Sequence, residues 1–262
     1  MTTTATATAR QAFPRGLIQP EDGFRFGADA LLLAAFAAPL AGNRVLDLGT
    51  GCGPAGLGLL LARDDQDSRV TGLDKDPAMV AAASENARRL GLADRFTACL
   101  GDVRAIREDA RLAPESFDLV LANPPFRHPG SGRRPETPER DAARFELDGG
   151  LTAFAAAAAY ALRNQGQLAC VHLAERLGHI MTTLTCNRLE IKRLLPICAR
   201  ANEPAKQVLL LARKNGRPGL RLEAPLALYT GTGPASRLTE TAVRFCPFLA
   251  CNPGPGKIGG DA

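Results

Sequence analysis

Asp47-Leu48-Gly49-Thr50-Gly51-Cys52-Gly53 follows the apolar pair Val45-Leu46 and precedes a leucine-rich stretch from Leu57 to Ala62. A short buried strand that runs into a glycine cluster and then into helical sequence makes a strand-turn-helix unit, in which backbone can approach a ligand without side-chain interference. The alternation continues outward. Arg69 to Asp74 reads as a second strand, Pro77 to Leu90 as a helix with proline in its first turn and Gly91 at its end, and Phe96 to Leu100 as a third strand. A short helix from Val103 and a fourth strand, Phe117 to Ala122, come next. Helix 151–163, strand 167–173, helix 174–186, strands near 188–195 and 206–213, and a final helix over 235–245 complete the pattern, while Ala28 to Leu40 forms an Ala/Leu helix upstream. Alternation of this kind specifies an α/β domain built on a parallel sheet.

At 262 residues the chain suits one large α/β domain. The expected organisation is a flexible N-terminal arm over 1–15, a main domain over 16–250 and a flexible tail over 251–262. Its 45% hydrophobic and 23% charged residues exclude a mostly disordered chain. The 32 Lys+Arg against 27 Asp+Glu give a net charge of +5, which suits a polyanionic partner and suits a solvated basic surface about equally. Seven cysteines, odd in number and without a C-x-x-C pair, argue against a disulfide framework and against a metal site. The first ten residues lack a charged segment followed by an apolar one. The apolar stretches around 31–41 and 151–162 fall short of the roughly 20 residues that span a bilayer, so no membrane association and a cytoplasmic location are expected. Arg127 to Arg144, rich in Pro, Gly, Arg and Glu, reads either as a mobile functional loop or as a solvated insertion.

The run Gly51-Cys52-Gly53-Pro54-Ala55-Gly56 also fits G-x-G-x-x-G, and Asp74 ends the second strand, so a dinucleotide must be weighed. Asp47 inside the motif favours S-adenosylmethionine instead: a carboxylate repels a pyrophosphate but suits an ammonium and a sulfonium. Asp74 can accept both ribose hydroxyls under either reading, and Gly101-Asp102 brings a polar group to the height of an adenine amine. Each acid alone is an ordinary cap or turn residue. Three of them, each following its own strand at one edge, are not explained that way. The set resembles the Rossmann-like class I methyltransferases. The resemblance implies Asp47, Gly49, Gly51, Gly53, Asp74 and Asp102 as donor-binding residues, with Asp29, Lys75, Val103 and Asn123 completing the set. It also implies a seven-stranded, mostly parallel sheet with helices on both faces and an antiparallel last strand.

Asn123-Pro124-Pro125-Phe126 follows the fourth strand directly, at the edge where open α/β sheets bind ligands. The planar NH2 group of an adenine or a carboxamide is a poor nucleophile because its lone pair is delocalised. The Asn123 side-chain oxygen and the Pro124 carbonyl can accept its two N–H bonds and turn the remaining density toward a sulfonium methyl. Two prolines stiffen that loop, and Phe126 can stack on a planar substrate. No general base or metal is required. In arbitrary sequence Asn-Pro-Pro is more often a turn with a rigid exit. Here the tetrapeptide resembles the N/D-P-P-Y/F/W signature of methyltransferases that act on exocyclic amines of adenine or guanine, and on protein glutamine amides. The resemblance makes Asn123, Pro124, Pro125 and Phe126 the catalytic set.

The flanks narrow the substrate. Gly23 to Leu33, with Gly27-Ala28-Asp29 and Leu32-Leu33, is similar to the G-T-D-x-x-L-L stretch of the bacterial tRNA1(Val) adenine-37 N6-methyltransferase family. Further points of similarity are Glu139-Arg140 with Ala143-Arg144, Lys206-Gln207-Val208-Leu209-Leu210, and Leu238-Thr239-Glu240 leading to Phe245-Cys246-Pro247-Phe248-Leu249. Ala28 stands where that family has Thr, and Phe126 where Tyr is commoner. From Arg188 to Arg221 nine basic residues face only Glu190 and Glu203, a surplus of seven that suits either a phosphate-tracking surface or a solvated strand face. The RNA-binding candidates are Arg127, Arg140, Arg144, Arg193, Arg200 and Lys206. The alternatives are a ribosomal RNA guanine N2-methyltransferase, a release-factor glutamine N5-methyltransferase and a non-catalytic RNA-binding module. The glutamine enzymes usually carry a separate N-terminal helical domain, which the roughly 27 residues before Ala28 cannot build. The non-catalytic module would have lost the donor and acceptor motifs that this chain retains.

Overall fold

The structure is a computed structural model that describes residues 4–21, 25–63, 65–125 and 150–251. Its frame is β1 (Arg44–Leu48), α3 (Pro54–Ala62), β2 (Arg69–Asp74), α4 (Pro77–Arg89), β3 (Phe96–Leu100) and β4 (Phe117–Ala122), preceded by α1 (Thr4–Ala12) and α2 (Ala28–Ala37). Beyond residue 149 come α5 (Gly150–Ala161), β5 (Leu162–Leu173), α6 (Leu177–Cys186), β6 (Leu189–Cys198) and β7 (Ala205–Lys214). Strands β1 and β4 are buried along nearly their whole length, as strands covered on both faces must be.

The strands lie in the order β3-β2-β1-β4-β5-β7-β6, parallel except that β7 runs antiparallel to both β5 and β6. Among the described residues the sheet has nine strands rather than the seven expected. Two-residue strands β8 (Arg221–Leu222) and β9 (Leu226–Ala227) add to the β6 edge. Pairs that short leave no periodicity to read. Apolar side chains fill both faces, Leu31, Phe36, Leu57 and Leu90 on one side and Ile106, Phe154, Ala158 and Ile180 on the other. Each fully buried leucine contributes about 1.5–3 kcal/mol. Among the described residues no helix is long and apolar enough to cross a membrane.

Three segments depart from expectation. Residues 4–13 carry α1 and dock: Arg10 donates to the carbonyls of Leu90 and Gly91 at 2.7 and 3.1 Å, and Phe13, 1% exposed, meets the Phe248 ring edge-on. The helix expected to run to 163 stops at Ala161, because the Glu115 and Ser116 amides bond the carbonyls of Tyr160 and Ala161 and draw the chain alongside β4. The last helix starts at Glu240, not 235, where the Thr239 hydroxyl caps it by accepting from the Ala242 amide at 3.0 Å. The residues ahead of it pair as β10 (Tyr229–Thr230) with β11 (Arg237–Leu238). The 127–144 loop and all of the expected tail except Cys251 lie outside the described residues.

Candidate active site

Register brings the site together. Leu48 of β1 pairs with Leu73 of β2 and with Ala122 of β4, so Gly49, Asp74 and Asn123 leave their strands side by side at the carboxyl edge. With strands about 4.8 Å apart, the backbones of Asp74 and Asn123 stand ~10 Å from each other with the glycine loop between them. The chain reverses its winding direction between β1 and β4, the point where open α/β sheets form their ligand crevice.

The loop takes left-handed backbone at Gly49, Gly51 and Gly53, with φ of +65°, +56° and +91°. At Gly49 a Cβ would come within 3.0 Å of the Phe154 ring, whereas at Gly51 it would meet nothing within 4 Å. Gly51 thus offers bare backbone to open space. The turn is closed by Gly53 N donating to the Thr50 carbonyl at 2.9 Å, and it is fixed to β2 by Thr50 N to the Leu73 carbonyl at 3.0 Å. The Asp74 carboxylate accepts from Gly51 N at 2.8 Å through Oδ2 and from Asp76 N at 3.0 Å through Oδ1. Each oxygen keeps a further lone pair, so half-buried Asp74 presents two acceptors side by side, matched to the vicinal hydroxyls of a ribose. Lys75 beside it is exposed.

Asp47 sits deeper than a ligand contact requires. It is 2% exposed, and Oδ2 accepts from the Thr50 hydroxyl at 2.7 Å and from Gly56 N at 3.1 Å, tying the loop to the first turn of α3. Burial pushes its carboxyl up from 3.8 to about 7 against the lowering effect of those bonds. The folded state therefore keeps a proton that the unfolded chain gives up near 3.8, and stability from this group is lost as pH rises through about 7. His172, pushed down to about 4 by burial, acts in the opposite sense by losing stability as pH falls. Comparison with Asp47→Asn cancels the histidine. Between pH 5 and 8 the wild-type melting temperature is expected to fall relative to that of Asp47→Asn, and parallel melting curves across that range would exclude the effect.

At the exit of β3, Gly101 N donates to the Asp74 carbonyl at 2.8 Å, which brings Asp102 and half-buried Val103 to the same edge. Asp102 caps the short helix Val103–Glu108 by accepting from Arg104 N at 2.9 Å, and its pairing with the Arg104 guanidinium holds it below the usual carboxylate range. Leu100, 50% exposed, leaves an apolar surface beside it. Asp29 is half-buried in the first turn of α2. Asn123 is half-buried, Pro124 buried and Pro125 exposed. Phe126, Arg127, Arg140 and Arg144 lie outside the described residues.

The basic run of 188–221 is not one surface. Because β7 is antiparallel, Arg213 and Lys214 end at the edge opposite the site, and Arg188 directly precedes β6 there. Arg193 lies within β6, its guanidinium paired with Glu223 at 2.6 Å and 4.7 Å over the Phe36 ring. Arg200 donates to the Gly231 carbonyl at 2.7 Å and pairs with Glu203 at 2.9 Å. Lys206 is exposed at the start of β7, next to the carboxyl end of β5. Arg193→Glu would set two carboxylates against each other, so its expected effect is a lower melting temperature, whereas Lys206→Glu should leave melting unchanged. An Arg193→Glu protein that melts like wild type would show that the ion pair and the ring contact contribute nothing.

Asn86 is among the buried polar residues that escaped the sequence reading. It is 1% exposed and shares a face of α4 with Met79, Ala82, Ala83 and Ala87. An amide on an apolar helical face was the available signal.

Strand order and the place of the glycine loop within it make this a Rossmann-like methyltransferase domain. Residues 40–195 match the family model described as a methyltransferase domain. A tRNA1(Val) (adenine(37)-N6)-methyltransferase of Mannheimia succiniciproducens is 34% identical over 68% of this chain and 67% of its own length. One from Porphyromonas gingivalis is 30% identical over 71% of this chain and 72% of its own. Among solved structures, one titled as a predicted O-methyltransferase from Agrobacterium tumefaciens aligns with a TM-score of 0.67 at 22% identity, covering 84% of this chain and 96% of that one. The chain belongs to the methyltransferase family and is an N-methyltransferase that takes S-adenosyl-L-methionine as its donor.

Proposed function

We propose that the protein methylates N6 of an adenine in RNA, the adenine at position 37 of a valine tRNA, in the cytoplasm. The observation that carries this reading is the exit of β4, where Asn123-Pro124-Pro125 stands one strand from the glycine loop at the crevice. S-adenosylmethionine, when bound, supplies an electrophilic methyl on a sulfonium. The Asn123 side-chain oxygen and the Pro124 carbonyl take the two N–H bonds of the amine and orient its nitrogen toward that methyl. The donor, held by the glycine loop and Asp74, would supply the methyl and keep the S–C electron pair on sulfur, and the amine nitrogen would shed its extra proton to solvent. The curated relatives, at 30–34% identity, are named for this reaction on this nucleotide.

The test offers labelled donor with separate pools of tRNA, ribosomal RNA and release factor, followed by digestion and identification of the product. N6-methyladenosine in tRNA is the expected product. N2-methylguanosine in ribosomal RNA, or methylglutamine in release factor, would refute the proposal. On tRNA, turnover should fall steeply with salt and Lys206→Glu should raise the RNA KM with donor affinity unchanged, because the phosphates release counterions on binding. Salt-insensitive turnover would point to a substrate other than nucleic acid.

A further inference from the structure

The glycine loop is tied to the N-terminal part of the chain by Asn86, which belongs to neither motif. The Asn86 Nδ2 donates to the Cys52 carbonyl at 2.9 Å and to the Ile18 carbonyl at 3.0 Å, and its Oδ1 accepts from Ile18 N at 2.8 Å. Both amide protons and the carbonyl are engaged, so no part of the side chain is buried unsatisfied. The bonds to Ile18 copy a strand-pairing rung and seat residues 13–20 along α4.

The bond to Cys52 matters for the loop. The peptide joining Cys52 to Gly53 is held at both ends, its carbonyl by Asn86 and its N–H by the Thr50 carbonyl. A peptide anchored on both sides cannot flip, although the glycine at 53 would otherwise allow it at little steric cost. Side-chain packing reinforces the link: Ile18 and Phe26 lie against Cys52, Met79 and Ala82 in a small cluster separate from the two main cores. Phe13, fully buried, anchors the far end of the segment.

We propose that Asn86 is a positioning residue for the methyl donor: by bonding Ile18 and Cys52 at once, it makes the segment 13–20 part of the donor site and holds the loop in its donor-accepting form. Asn86 acts through Cys52 and Gly53 and touches no reacting atom. The inference is independent of which amine is methylated.

Asn86→Asp has nearly the same shape and keeps the acceptor for Ile18 N, but it turns a charged oxygen toward two carbonyls. Calorimetry with S-adenosylhomocysteine, at a temperature where circular dichroism shows the variant folded, is expected to give a Kd raised about tenfold. Hydrogen exchange at the Gly51 and Gly53 amides should quicken by a similar factor while the amides of β1 keep their protection. A residue that only supported the fold would lower the melting temperature and move neither readout. Ile18→Ala is the second variant, decisive if Asn86→Asp does not fold. It trims a half-buried side chain from the cluster, leaves the backbone bonds, and should weaken binding about threefold. A Kd within twofold of wild type in folded Asn86→Asp overturns the proposal, and so does the same result in Ile18→Ala where the aspartate variant is unfolded.

Discussion

Asn123→Ala is expected to give a folded protein that still binds S-adenosylmethionine and transfers methyl at least about a hundredfold more slowly, the scale seen when a positioned polar group acting in the transition state is removed. Binding is expected to survive because Asn123 is half-buried at the end of β4, two strands from Asp74, the proposed acceptor of the ribose hydroxyls. The rate falls because the amine becomes more positive as the methyl arrives, so the bond to the Asn123 oxygen strengthens along the reaction and its loss falls on kcat. Asn123→Asp keeps an acceptor in place and should retain part of the activity. Phe126→Ala should mainly raise the substrate KM, with Phe126→Tyr nearly neutral. Single-turnover assays with saturating donor decide the matter. Wild-type transfer by Asn123→Ala would reduce the tetrapeptide to a rigid turn and remove the main support for amine methylation.

Asp74→Ala should cost donor affinity about 1.5–3 kcal/mol, a Kd raised roughly ten- to 150-fold, as for the loss of hydrogen bonds to a charged acceptor. Two losses combine. The ribose hydroxyls lose their acceptors, and the Gly51 and Asp76 amides lose Oδ2 and Oδ1, so the loop keeps its Thr50 N bond to the Leu73 carbonyl but loses its side-chain tie to β2. Asp74→Asn separates the two. It keeps one acceptor oxygen, and an Asp74→Asn protein should fall between the alanine variant and wild type. Titration with S-adenosylhomocysteine and with NAD is the measurement. Unchanged binding in Asp74→Ala would remove this residue from the donor site, whereas NAD binding more tightly than S-adenosylhomocysteine in the wild type would overturn the donor assignment.

Much of the candidate donor site was legible because its parts are local. A strand that ends in glycines and an acid at the next strand's end need only neighbouring residues to be recognised, and parallel register then sets them side by side. Asp47 was legible as a motif but not as an environment. Its burial raises its carboxyl to about 7 against the bonds from the Thr50 hydroxyl and Gly56 N, and that burial exists only in the folded chain. The basic run from Arg188 to Arg221 left two readings open for a related reason: charge along a sequence is one-dimensional, and β7 carries Lys206 to the edge of the site but Arg213 and Lys214 to the opposite one.

The sequence by itself determined the α/β alternation, the glycine loop with Asp74 at its side, and Asn123-Pro124-Pro125 at the end of β4, because hydrophobic period, turn chemistry and strand ends are written in adjacent residues. Only the tertiary structure decided that residues 4–13 pack against the body, that two-residue strands extend the sheet, that Arg193 is committed to Glu223 and Phe36, and that Asn86 joins Ile18 to Cys52. Those contacts span 30 to 157 residues of chain for the ion pair and the ring and 34 to 68 for the Asn86 bonds. Partners that far apart leave no periodic trace, and the bonds exist only once the core has brought them within reach.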